Sequence, residues 1–333
     1  MIGQLRQLGY SGLVTAYNNG KAIQATAARP VGDVVTLHAY FDHPSNFIRP
    51  GSRMRNESSI GVLLPHVRYF ALNRWLGKPF LVDEYDQPYW NTWRREAVAV
   101  PAYAALQDWD GLCRFVNPVA LKYDPEGPPR DRAIYPFGVG LDPVARATEA
   151  LAALIYRRGD VHASGHLIAI EPESEILLGE EAAVSRPAEA LGYLAFVGQI
   201  GLGTDSGALM NVPLVLEPIG GLRGWLRWLS ANGRKDWSRM LGLLKKRGII
   251  RPSNRTDAAA RLFESDTGEL QLDRDRRLLR IATPRLAVLV WDGQGRETAG
   301  VMEAESFAGP VLVAAASIDG TPLDKSKRIL VVV

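Results

Sequence analysis

The sequence contains one cysteine, Cys113, in 333 residues, so an intramolecular disulfide framework and a zinc site built from several thiolates are both excluded. Long apolar runs are also missing. The longest, such as Leu312 to Ala316 and Ile329 to Val333, fall far short of the ~20 residues that span a bilayer, so no membrane partner is expected. The opening residues Met1 to Arg6 lack the basic start, apolar stretch and small-residue cleavage site of a signal peptide. No signal peptide or transmembrane segment therefore assigns a location. An excess of one charge is absent too: 39 basic and 36 acidic residues leave a net charge of +3, which gives no electrostatic reason to bind nucleic acid.

What is present is a globular composition, 47% hydrophobic and 23% charged, in a chain long enough for two domains at roughly 150 residues each. The first ~160 residues alternate β-like apolar runs with helical stretches, the pattern of a parallel sheet covered by helices. Four strands are expected, over Leu13–Tyr17, Asp33–Tyr40, Phe80–Tyr85 and Gly111–Val116. Between them lie helix-compatible segments at Ala22–Ala28, Val62–Leu76 and Trp93–Gln107. A longer helix follows over Pro143–Arg157, with Asp142 as N-cap, proline in the first turn and Arg157-Arg158-Gly159 as its stop. Residues 161–270 read as a linker and mixed segment, with helical or irregular stretches at Trp225–Trp237 and Arg239–Lys246. Residues 271–333 read as an antiparallel β domain, with strands at Leu278–Ala282, Leu286–Trp291, Gly300–Glu303, Val311–Ser317 and Arg328–Val333.

The third strand carries the most informative residues. It ends in Asp83-Glu84-Tyr85, followed by Asp86-Gln87-Pro88-Tyr89-Trp90. A carboxylate at a strand end, flanked by aromatic rings, suits sugar cleavage, because it can face an oxocarbenium-like centre while rings stack on pyranoses. Glu84 is the first candidate; the plainer reading makes it a helix cap or a surface ion-pair partner. His38 and Tyr40 alternate onto one face at the end of the second strand, either lining a pocket or simply packing. Asn18 leaves the first strand, and Phe115 and Asn117 leave the fourth; these could recognise hydroxyls or form ordinary turns. Tyr89 and Trp90 are platform candidates, whereas Trp109, ahead of the fourth strand, reads as packing. Gly201 to Gly207 reads as a loop, lacking the ending of a phosphate loop. His162 and His166 make a weak zinc pair. Arg274, Arg276, Arg277 and Arg280 read as a solvated charged ribbon.

Taken together, these strand ends resemble the C-terminal half of a cellulase- or β-galactosidase-like (β/α)8 retaining glycoside hydrolase, of the large clan whose nucleophile glutamate ends the seventh strand. The resemblance rests on Leu5 to Tyr10 leading into the fifth strand, Asp33 to Tyr40 as the sixth, Lys78 to Tyr85 as the seventh, and Ala104 to Gly111 leading into the eighth. It covers about residues 1–160, and the stretch from Thr283 to Arg328 is similar to the β-sandwich that follows the barrel in some members. The implied fold is α/β plus all-β: a partial barrel of about four β/α units, then an antiparallel β-sandwich.

The resemblance implies retaining hydrolysis of β-glycosidic bonds in an oligo- or polysaccharide, with Glu84 as nucleophile and no cofactor or metal. It implies a sugar subsite lined by His38, Tyr40 and their strand-end neighbours. It also exposes a departure. The second carboxyl group, which acts as acid and base, belongs to a fourth barrel strand that this chain lacks, and Asn56-Glu57 lies in a loop instead. Asp42, Asp86, Asp110 and Asp124 are the remaining substitutes. A (β/α)8 domain needs ~250 residues against the ~160 available. The alternative expectation is therefore a truncated or partner-dependent piece, completed by a homo-oligomer or a missing N-terminal half, that binds carbohydrate or assembles without catalysis. A third reading is an unrelated α/β protein in which Glu84, His38 and Tyr40 lie far apart.

Overall fold

Val35–Tyr40 (β1), Phe80–Asp86 (β2) and Gly111–Arg114 (β3) form a parallel sheet in that order. Alternation explains how it is buried. Val35, Leu37, Phe80 and Val82 join one apolar core with Phe70 and Trp109, and the Trp109 ring meets Phe80 at 5.4 Å and Phe70 at 5.7 Å. The packing role expected for Trp109 is the one observed. The computed structural model describes residues 2–16, 18, 23–47, 49, 51–116, 126, 136–138, 140, 142–172, 189–204, 209–210, 212–216 and 233–333. Within these, residues 13–16 are not a regular strand, but they run beside β1: Val14 O accepts from Asp33 N at 2.8 Å, and the Thr15 and Thr36 hydroxyls meet at 2.9 Å. Asn18 O continues the contact by accepting from His38 N at 3.3 Å.

The helices are shorter than their apolar patterns suggest. The first are Ile2–Gln7 (α1) and Ile23–Ala28 (α2). In place of a helix over Val62–Leu76, a 3-10 turn at Ile60–Val62 precedes Pro65–Ala71 (α3), because Leu63 and Leu64 both take left-handed backbone angles before the proline. A 3-10 turn over Arg94–Val98 leads into Ala99–Leu106 (α4), which is buried on every side, as its uniformly apolar sequence requires. Pro143–Ala152 (α5) begins as expected: the Asp142 carboxylate accepts from Val144 N and Ala145 N, both at 3.2 Å. It continues as a π turn through Arg157, and Gly159 stops it at a left-handed φ of 72°.

Residues 161–270 contain more regular structure than a linker. Leu167–Ile170 (β4), Gln199–Leu202 (β5) and Leu214–Leu216 (β6) form a second parallel sheet with β4 central. The loop expected at Gly201 is therefore corrected, since Gly201 and Leu202 belong to β5. A Cβ at Gly201 would stand 2.5 Å from Leu76 Cδ2, so glycine lets residues 74–76 approach and bond to Leu202 from both sides. Of the stretch Trp225–Lys246, residues 225–232 lie outside the described residues and the remainder forms the helix Gly233–Lys246 (α6).

The antiparallel sheet starts at Leu262, upstream of the expected boundary at 271. Its strands are Leu262–Glu264 (β7), Leu270–Asp273 (β8), Leu278–Ala282 (β9), Leu286–Asp292 (β10), Pro310–Ser317 (β13) and Ile329–Val332 (β14), in the order β14-β13-β10-β9-β8-β7. Gly295–Ala299 (β11) and Met302–Ser306 (β12) form a separate hairpin. Central β10 shows why the sheet has two covered faces. Leu286, Val288 and Val290 join the large core shared with the parallel strands, while Ala287, Leu289 and Trp291 join a second core with Ala299. The chain thus combines mixed α/β structure with an all-β module.

Buried charge fastens the two. Asp160 has a fully buried side chain between Arg158 and Arg285, the latter at 2.8 Å, and Arg158 also donates to Ser317 O at 2.8 Å. His162 pairs with Glu269 at 2.6 Å and His166 with Asp266 at 2.9 Å, which replaces the zinc pairing with two inter-module hydrogen bonds. The arginine ribbon is likewise paired. Arg274 meets Asp275 and donates to Gly61 O, Arg276 and Arg280 share Glu297, and Arg277 meets Asp292. No described helix is long and apolar enough to cross a membrane.

Candidate functional site

Parallel strands with the same direction bring their C-terminal ends to one edge, so β1 and β2 deliver Tyr40 and Glu84 side by side. The Tyr40 hydroxyl donates to Glu84 Oε2. The third reading, which separates these residues, does not match this contact.

His38 does something else. A register irregularity between Leu37 and His38 inserts Asp83 as an extra residue opposite β1, so that His38 pairs with Glu84 in backbone register while its ring faces Asp83. His38 Nδ1 stands 3.8 Å from Asp83 Oδ1, and Asn18 Nδ2 donates to Asp83 Oδ2 at 3.0 Å. Two of the expected residues therefore converge on Asp83 and one on Glu84. Strict alternation along β2 puts neighbouring carboxylates on opposite faces, which is why Asp83 is invisible in the pattern.

An aromatic wall backs Tyr40. Its ring lies 4.6 Å from Phe137, 5.9 Å from Phe115 and 5.7 Å from His43, centroid to centroid, and Phe47 stacks near His43 and Phe137. Phe115 extends β3 by donating its N–H to Tyr85 O at 2.9 Å, and the Phe115–Val116 peptide is cis. Asn117 lies outside the described residues. Tyr89 N donates to Pro136 O at 2.7 Å, which brings Tyr89 to the segment carrying Phe137, and its ring lies under the Arg94 guanidinium. Trp90 is exposed. Sequence reasoning missed His43, Phe47 and Phe137 because they sit in irregular segments, where no periodicity marks a face.

The substitutes for the second carboxyl group have other engagements. Asp42 accepts from Arg55 N, Asn56 N and Asn91 Nδ2, clasping the loop after β1. Asp110 accepts from Phe80 N at 2.8 Å. Asp86 is buried against Arg114, whose Nε donates at 2.9 Å. Burial opposes the charge of Arg114, but Asp86, Tyr85 and Glu149 outweigh it and hold the guanidinium above its ordinary pKa. Asp124 lies outside the described residues, and Asn56-Glu57 remains in a loop. Glu96 is also structural. It accepts from Ser58, Ser59 and Ile60 N, and burial raises its pKa against those hydrogen bonds. Among the described residues no cluster of three or more His, Cys, Asp or Glu could hold a metal ion.

No family model matches the chain, and no curated protein does. Among solved structures, the chain is similar to the crystal structure of a GH5_18 variant from Bifidobacterium longum subsp. longum in complex with Manβ1-4GlcNAc. The identity is 17% and the TM-score 0.34, over 59% of this chain and 49% of that one, so the chain spans about half the length of the structure it matches.

Proposed function

We propose that the chain is a glycoside hydrolase-like protein in which Glu84 is the nucleophile of retaining β-glycoside hydrolysis. The observation that carries this reading is the hydrogen bond from Tyr40 to Glu84 at the C-terminal edge of parallel strands, beside an aromatic wall. Such an edge is where α/β proteins bind ligands. A nucleophilic carboxylate must be aimed at the anomeric carbon, and a donor on one oxygen leaves the other to attack. In this reading His38, Tyr40, Asn18, Tyr89, Trp90, Phe115 and Asn117 line the sugar subsite. Residues 1–160 form the partial barrel, carrying its strands five to eight. Residues 161–270, which carry the second parallel sheet, lead to the β-sandwich domain expected over 271–333, with the antiparallel sheet itself beginning at Leu262.

The test is Glu84→Gln. Hydrolysis of 4-nitrophenyl β-glycosides is expected to fall on the order of a thousandfold or more with folding retained. Unchanged hydrolysis overturns the assignment.

A second reading is favoured by the engagement of Asp42, Asp86 and Asp110 in structural contacts, which commits each of these carboxylates to a protein partner. In that case the chain binds carbohydrate or assembles with a second chain, without catalysis by itself. A light-scattering mass equal to one 36.5 kDa chain, together with full glycosidase activity, excludes it.

A further inference from the structure

The loop after β1, Trp93 after β2 and the β8–β9 turn line an open cleft of about 580 Å³, a size typical of small-ligand sites, whose lining includes neither Glu84 nor Tyr40. We propose that this cleft binds a neutral oligosaccharide, a ligand class that rests on the glycosidase reading of Glu84.

The cleft has two chemically different sides. Trp93 and the exposed Val62 supply apolar surface, while Asn56, Glu57, Arg274 and Arg277 supply planar polar groups. A pyranose presents the same division, with C–H groups on its faces and hydroxyls around its rim, so rings stack on the first and planar amides, carboxylates or guanidinia bond the second. The charges around the cleft are balanced. Arg274 pairs with Asp275 at 2.9 Å, Arg277 with Asp292, and Glu57 with Arg55 at 3.4 Å, so no side presents uncompensated charge.

The walls are held before any ligand arrives. Glu96 clasps Ser58, Ser59 and Ile60 on one side, and Arg274 Nε donates to Gly61 O at 2.9 Å across the module boundary. Thr92 N donates to Asn56 Oδ1 at 2.7 Å, and the Arg277 guanidinium lies 4.8 Å from the Trp93 ring centroid. Asn56 and Arg277 both hold left-handed backbone angles, with φ of 56° and 47°. Preformed walls lower the ordering cost of binding.

The experiment titrates cellohexaose and mannohexaose into the full chain carrying Glu84→Gln, by calorimetry. One binding event is expected to weaken by about tenfold on adding Trp93→Ala, through the lost ring contact. Glu57→Gln, which alters only a half-exposed ion pair, is expected to weaken the same event by about threefold without changing Tm. Absence of binding, or binding unaffected by both substitutions, overturns the proposal. The two readings fail separately: hydrolysis surviving Glu84→Gln with binding that depends on Trp93 removes the nucleophile and keeps the cleft. Loss of hydrolysis with binding insensitive to Trp93 and Glu57 does the reverse.

Discussion

The Tyr40 phenol donates to the Glu84 carboxylate across β1 and β2, and a hydrogen bond to a charged group contributes about 1.5–3 kcal/mol. Tyr40→Phe is expected to lower kcat/KM on aryl β-glycosides by about 10- to 100-fold while keeping the ring in its aromatic wall. An unchanged kcat/KM contradicts a role in holding Glu84. A different residue contributes acid sensitivity. His66 is fully buried on α3, and burial, helped by Arg68, lowers its pKa from 6.5 to about 3. The folded protein therefore holds His66 neutral while the unfolded chain protonates it below pH 6.5. Its contribution is complete above that pH and is lost as the pH falls from 6.5 towards 3, reaching about 2 kcal/mol at pH 5. Between pH 7.5 and pH 5 the unfolding free energy from urea titration is expected to shift about 2 kcal/mol further towards loss in the native chain than in His66→Gln, while the opposing gain from Asp86, whose carboxyl burial pushes up to about 7, is common to both. Equal shifts in both sink the assignment to His66.

Among the elements, α5 has the clearest local cause. Asp142 caps two backbone N–H groups and receives Arg94 Nε at 2.5 Å, tying the helix start to the turn after β2. Asp142→Ala is expected to cost about 1–2 kcal/mol, read as a lower urea midpoint with an unchanged slope. An unmoved midpoint shows that packing alone holds the helix. The β1–β2 pair shows the opposite dependence. Its irregular register at Leu37 and His38 decides which side chains meet Asp83 and which meet Glu84, and neither strand encodes that slip by itself.

Across the molecule, the parallel and antiparallel parts share one apolar core, and the polar seam at Asp160 runs beside it. Asp160→Ala leaves Arg158 and Arg285 without their shared carboxylate. Losing one partner of a buried pair costs about 3–5 kcal/mol, and the partial exposure of both arginines reduces this to roughly 2 kcal/mol. Because the core is shared, thermal unfolding is expected to remain one calorimetric transition at lower Tm. Two separated transitions indicate modules that unfold independently.

Much of the local structure was legible. The strand at Phe80–Asp86, the β-module strands at Leu278–Ala282 and Leu286–Asp292, and the capped helix at Asp142-Pro143 follow from alternation, apolar runs and capping chemistry, all of which act within a few residues. The nearness of Tyr40 to Glu84 was legible in part, because both end strands of one parallel type. Helix length was overestimated at Val62–Leu76, where apolar residues continue through two left-handed leucines. The second parallel sheet was missed because its strands are short and lie among glycines.

The sequence by itself determined the three strands of the first parallel sheet, the capped start of α5, the balanced charge and the glutamate at the end of β2. Only the tertiary structure decided that His38 and Asn18 turn to Asp83, that Phe137 and Phe47 wall Tyr40, and that His162 and His166 join the modules. Those choices depend on strand register and on contacts between residues far apart in the chain, which no local periodicity or spacing can specify.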